Sequence, residues 1–214
     1  MTPKQVGQIL GVLTVLASAI PVWIGAVRLT RRPIEERRLW AWMVVILVLN
    51  CISATMGILN VRNTSFQVLT WPLLAGVGIW ACAPLLGSAA LRRAAWVGVC
   101  AFTLFWGWRV LALDFRVEFD RYVPPVGGLL LALVGAALVV DRLPQLGSAR
   151  PLRDLRILAG LALLMTHTPA LAIQPIGSML GESNRELVVA IFLLPMALGI
   201  LGSVLLSLAF LWTI

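Results

Sequence analysis

Seven stretches of this chain, at about 6–27, 39–60, 66–86, 94–113, 122–140, 157–180 and 187–213, are continuous apolar runs without a single acidic side chain. Each approaches or exceeds the ~20 residues that an α-helix needs to cross ~30 Å of hydrocarbon. Backbone polar groups in lipid must be satisfied internally, and the runs do not alternate apolar with polar residues, so helices and not barrel strands are predicted. A soluble fold is excluded, because 60% of the 214 residues are apolar and only 12% charged, far from the usual balance of a water-soluble domain. The expected fold is all-α: a polytopic integral membrane protein, one seven-transmembrane-helix bundle over residues 1–214. The first run follows Lys4 and contains Ala17-Ser18-Ala19, small residues of the kind found at a signal cleavage site. It is expected to persist as the first span.

The basic residues predict an orientation. Loop 28–38 holds Arg28, Arg31, Arg32, Arg37 and Arg38, the turn near 87–93 holds Arg92 and Arg93, and loop 141–156 holds Arg142, Arg150, Arg153 and Arg156. These eleven share one side, against Lys4, Arg62, Arg116, Arg121 and Arg185 on the other, with Arg109 inside the fourth run. The positive-inside bias therefore puts the amino terminus outside and the carboxyl terminus in the cytoplasm, in a membrane expected to be the bacterial inner one. The net charge of +8 follows from this layout, and the basic loops suit anionic lipid head groups better than nucleic acid, which is not an expected partner. Trp40, Trp42, Trp96 and Trp212 lie near the same ends and read as an aromatic belt. Cys51, Cys82 and Cys100 fall in three different runs and read as small buried residues, with no redox or metal spacing. The segment 143–151, rich in Pro, Gly and Ser, is the expected hinge between the fifth and sixth runs.

A faint internal repeat is visible. Pro72 and Gly76 in the third run match Pro195 and Gly199 in the seventh, while Asn50 and His167 lie roughly 11 and 10 residues from the basic ends of the second and sixth. At ~1.5 Å per residue both reach the midplane. The pattern suits a 3+1+3 plan of two parallel three-helix halves.

Polar side chains inside the runs are the candidate site. His167, the sole histidine, lies between Thr166 and Thr168, with Pro169 and Pro175 beyond it and Gln174 seven residues on, along the same helix face. Asn50 and Thr103 stand at comparable depth in their own runs. Arg109 lies beside Trp106 and Trp108, either snorkelling to the interface or facing an outer vestibule with Asp114, Glu118, Glu182 or Glu186 as partners. Asn50, Thr103, Arg109, His167 and Gln174 are thus the expected ligand-binding residues. Close helix packing is expected at the four-residue spacings Gly7/Gly11, Gly177/Gly181 and Gly199/Ser203/Ser207. These place the first, sixth and seventh helices at the bundle centre or against a partner.

Catalysis lacks its usual residues. No carboxylate is embedded in a run, the only lysine is Lys4, and no nucleophile elbow or phosphate loop is present. One histidine without a neighbouring carboxylate or cysteine assembles neither a haem nor a metal site. No cofactor is expected. The predicted function is a non-catalytic sensor or accessory subunit that binds a small or hydrophobic ligand, or a partner membrane protein or second copy. Its output would pass through a separate subunit, since the last run ends directly at Trp212-Thr213-Ile214. Arg31, Arg32, Arg37, Arg38, Arg92, Arg93, Arg153 and Arg156 are the charges expected to guide insertion and docking. In layout the chain is similar to the membrane-embedded sensing halves of bacterial seven-helix receptors, although no residue motif identifies that family. The alternative is a facilitative carrier for a small neutral solute. In plan it resembles the 3+1+3 sugar and vitamin-precursor carriers, without their proline–glutamine or tryptophan-rich signatures.

Overall fold

The computed structural model describes residues 3–27, 29–59, 61, 64–112, 122–145, 154–180 and 185–212, with the backbone alone at 3, 4, 7, 64, 65, 67, 145, 170, 172–180 and 185–193. Seven α-helices and no strand occur among the described residues: α1 (Pro3–Ala26), α2 (Ile34–Ile58), α3 (Thr64–Cys82), α4 (Ala89–Ala112), α5 (Val123–Arg142), α6 (Leu155–Leu180) and α7 (Arg185–Trp212). Six of them, α1 to α5 and α7, are long and apolar enough to cross a membrane.

Two helices, α2 and α4, start five residues earlier than the apolar runs predict. Pro33 precedes α2, and Glu35 and Glu36 occupy its first turn, where the partial positive charge of the helix start favours carboxylates. Ser88 leads into α4, its hydroxyl accepting from the Ala90 amide at 3.2 Å. Arg37, Arg38, Arg92 and Arg93 consequently lie on helices and not in loops. Asp154 caps α6 by accepting from the Arg156 amide at 2.9 Å, and it also pairs with Arg142 at 2.6 Å. The two ends of the expected hinge are thereby tied together.

Contacts along the helices give their directions and order. Trp40 Nε1 donates to the Val22 carbonyl at 2.9 Å and Asn50 Nδ2 to Ser18 Oγ at 2.8 Å, so α1 and α2 run antiparallel. α6 packs on α5 and α7, α7 on α1, and α3 on α2 and α5, closing a ring α1-α2-α3-α5-α6-α7. α4 stands outside it, against α3 and α5. α5 and α6 approach backbone to backbone: a methyl group on either Gly135 or Gly160 would come within 2.7 Å of the other's carbonyl oxygen. One on Gly202 of α7 would meet the Ala162 carbonyl of α6 at 3.1 Å. Hydrogen at these Cα positions lets the backbones touch.

These glycines replace the expected packing set. Gly199 has open space where a side chain would be, and Gly11 makes only an ordinary contact, 3.8 Å to Ala54 Cβ. Ser203 and Ser207 turn back on their own helix, donating to the carbonyls of Gly199 and Ser203 at 3.1 and 2.8 Å. Gly181 lies outside the described residues, and Gly7 and Gly177 are described by backbone only. Nor is α1 central. Buried residues make up 22% of its apolar stretch, against 50% for α5, and Ile9, Val12, Leu13, Leu16, Ile20 and Trp23 form an exposed face.

Candidate functional site

The larger of two buried cores fills the basic half of the bundle, a smaller one around Val68, Ala75, Phe102 and Val123 lying between α3, α4 and α5. Leu39, Trp42, Met43, Ile79, Leu86, Leu131, Leu138, Leu163 and Phe210 form the larger, at the end where most of the arginines cluster. There Arg32, 6% exposed, lies between three helices. Its Nη1 pairs with Glu36 at 2.7 Å, its Nη2 donates to the carbonyls of Phe210 and Ile24 at 3.1 and 3.4 Å, and its Nε donates to that of Val27 at 3.3 Å. The guanidinium also lies 5.4 Å from the centre of the Phe210 ring. One cation thus satisfies terminal carbonyls of α1 and α7, where the helix dipoles are negative. Arg32 is therefore an internal staple and not a surface charge for docking.

The other basic residues divide. Arg31, Arg37, Arg92 and Arg93 are exposed, Arg156 is half-buried, and Arg153 lies outside the described residues. Arg38 stacks over Trp80, 5.3 Å from the ring centre.

Toward the opposite end α1, α2, α3, α6 and α7 separate around a cavity of about 590 Å³. Gln8, Thr14, Ser18, Asn50, Ser53, Thr70, Thr166, His167 and Ser203 supply its polar lining, and no charged side chain joins them among the described residues. Gly57 and Gly199, with nothing near their Cα hydrogens, keep two walls open. Most polar groups at mid-depth are satisfied locally. Asn50 donates to Ser18, and Ser18 Oγ donates in turn to the Thr14 carbonyl at 2.8 Å.

His167 differs. It is 4% exposed, and its Nε2 has no hydrogen-bond partner, a deficit of about 1–3 kcal/mol for a buried polar atom. Two rings flank it, Trp42 at 6.5 Å and Trp71 edge-on at 6.1 Å between centroids. Trp42 Nε1 is likewise unpartnered, but it faces α3, where a methyl group on Gly78 would approach it to 3.2 Å. Trp42 is 1% exposed and is part of the cavity floor, not of an interfacial belt. Trp40 is half-buried, whereas Trp96 and Trp212 are exposed.

Two of the expected ligand-binding residues, Asn50 and His167, face this one cavity. Thr103 does not: it is exposed on α4, the helix outside the ring. Arg109 is also remote from it, its guanidinium 5.7 Å from the Trp108 ring centre and 5.1 Å from that of Tyr122. Asp114, Glu118 and Glu182 lie outside the described residues, as do the side chains of Glu186 and Gln174. Cys82 is buried, but Cys51 and Cys100 are exposed on the bundle surface.

Pro72 has a role that spacing alone did not suggest. A proline has no N–H for the carbonyl four residues back, and the orphaned Val68 oxygen accepts instead from Trp106 Nε1 at 3.0 Å, tying α4 to α3. Pro72 and Gly76 are outside the cavity lining while Pro195 and Gly199 are within it, so the two pairs are not used alike. No family model matches the chain, and no curated protein or solved structure shows significant similarity to it.

Proposed function

We propose that the chain is a non-catalytic membrane sensor or accessory subunit that takes up a small uncharged ligand between α1, α2, α3, α6 and α7. The observation that carries this reading is the cavity of about 590 Å³ with its uncharged polar and aromatic lining. Its size falls within the range of small-molecule sites. An ion placed there without a counter-charge would meet a large desolvation penalty. In this reading α6 is a seventh span and the basic end faces the cytoplasm, so the cavity opens outward. Ligand-induced movement of α1 and α7 would reach a partner membrane protein, or a second copy, through the closed basic end.

A second reading, a facilitative carrier for a neutral solute, draws on one feature of the helix order. Pairing α1 with α5, α2 with α6 and α3 with α7 maps every neighbour in the ring onto another neighbour pair, as a parallel duplication would.

The test begins with small molecules retained by protein purified in native lipid. Wild type should retain an uncharged compound that the cavity-filling variant Gly199→Leu does not; equal retention by both would sink the ligand-binding reading. That compound is then offered to proteoliposomes. Absence of flux favours the sensor, whereas flux that disappears in Asn50→Leu and His167→Leu favours the carrier.

A further inference from the structure

The cavity has two levels that differ in what they leave for a guest. Along α2, Asn50 lies eight residues from Trp42, or ~12 Å at the helical rise. At the Asn50 level the amide nitrogen and the Ser18 hydroxyl already donate within the protein. At the Trp42 level the cavity wall carries the His167 imidazole, flanked by the Trp42 and Trp71 rings and with no hydrogen bond at its buried Nε2. Buried polar atoms in native proteins are nearly always satisfied, and the atom left over here lies on a residue of the cavity wall.

We infer that this floor is the anchoring subsite, and that it takes an uncharged ring-bearing molecule with a hydroxyl group, the hydroxyl meeting the His167 imidazole and the ring lying against Trp71. This rests on the ligand-binding reading above and narrows it to a chemical class. A hydroxyl is singled out because it both donates and accepts, and so pairs with either tautomer of a neutral imidazole. A ring is singled out because tryptophan faces and edges favour offset or edge-on aromatic partners. Absence of charge follows from the uncharged lining.

The probes are 4-fluorophenol and its near-isostere 4-fluorotoluene, followed by fluorine NMR on the full chain in nanodiscs, with empty nanodiscs subtracted. 4-Fluorophenol should bind wild type about tenfold more tightly than 4-fluorotoluene, the ratio expected of one buried hydrogen bond. His167→Leu should bring the two affinities together, and His167→Gln, which keeps a donor and an acceptor, should restore part of the preference. Gly199→Leu should abolish binding of both. Equal affinities in wild type, with both lost in Gly199→Leu, would overturn the hydroxyl subsite and leave the cavity a ligand site. Binding of neither probe, or binding indifferent to Gly199→Leu, would overturn the subsite and the ligand-binding reading together.

Discussion

The two ends of this bundle are built from the same helices and do opposite things. At the basic end α1, α2 and α7 converge: Gly25 lets the Trp40 and Phe210 rings approach the α1 backbone, and Arg32 joins the three helix ends to Glu36 and to terminal carbonyls. Toward the other end the same helices part around neutral polar side chains and the bare Cα positions of Gly57 and Gly199. A buried cation can close a helix bundle because it meets helix ends, whose unpaired carbonyls need a donor. Mid-helix carbonyls have no such need, so hydroxyls and amides there bond locally and leave space between the helices.

The most severe way to break this contrast is to unpair the staple. Glu36→Leu leaves Arg32 buried without its carboxylate and should destabilise the protein by about 3–5 kcal/mol, whereas the double variant Arg32→Met/Glu36→Leu should recover much of that loss. Unfolding midpoints in one detergent decide it; a double variant as unstable as the single would mean that the carbonyl contacts, not the ion pair, hold the end shut.

Next in size is the scaffold on which both ends rest. Gly160→Val forces a branched side chain against the Gly135 carbonyl and should cost about 1–3 kcal/mol as an overpacked contact. The change is measured by thermal unfolding and monodispersity. An unchanged midpoint would show that α5 and α6 can separate without loss.

At the open end, Trp106→Phe removes the donor to the Val68 carbonyl and should cost about 1 kcal/mol or somewhat more. Adding Pro72→Ala supplies a backbone N–H to that carbonyl, so the double variant should be more stable than Trp106→Phe alone. If Pro72→Ala brings no recovery, the orphaned carbonyl is not the cause of the loss.

The smallest effect is expected within the cavity. Asn50→Leu breaks one interhelical hydrogen bond, for which about 0.6 kcal/mol is usual inside membranes. It should alter retention of the bound compound far more than the unfolding midpoint. A large drop in stability would instead mark Asn50 as structural, and the open end as no less tightly built than the basic one.

The residues themselves determine that this chain forms apolar helices, because the length and continuity of a run settle what its backbone must do in hydrocarbon. They also mark Asn50 and His167 as polar side chains deep within apolar runs, although residue count sets both at one depth and the structure puts His167 against Trp42, eight residues along α2 from Asn50. Which way a side chain faces around its helix is not legible when every face is apolar. Thr103 matches Asn50 in depth yet lies on the outside of α4. Trp42 reads as an interfacial anchor yet is the cavity floor, and Arg32 reads as a surface charge yet is buried. The contacting glycines escaped the four-residue rule because Gly135, Gly160 and Gly202 each act singly, one per helix, and meet only when α5, α6 and α7 pack. Periodicity within one helix cannot report a contact between two. Tertiary structure alone decides which polar atoms find partners in neighbouring helices, and so that the buried His167 Nε2 finds none.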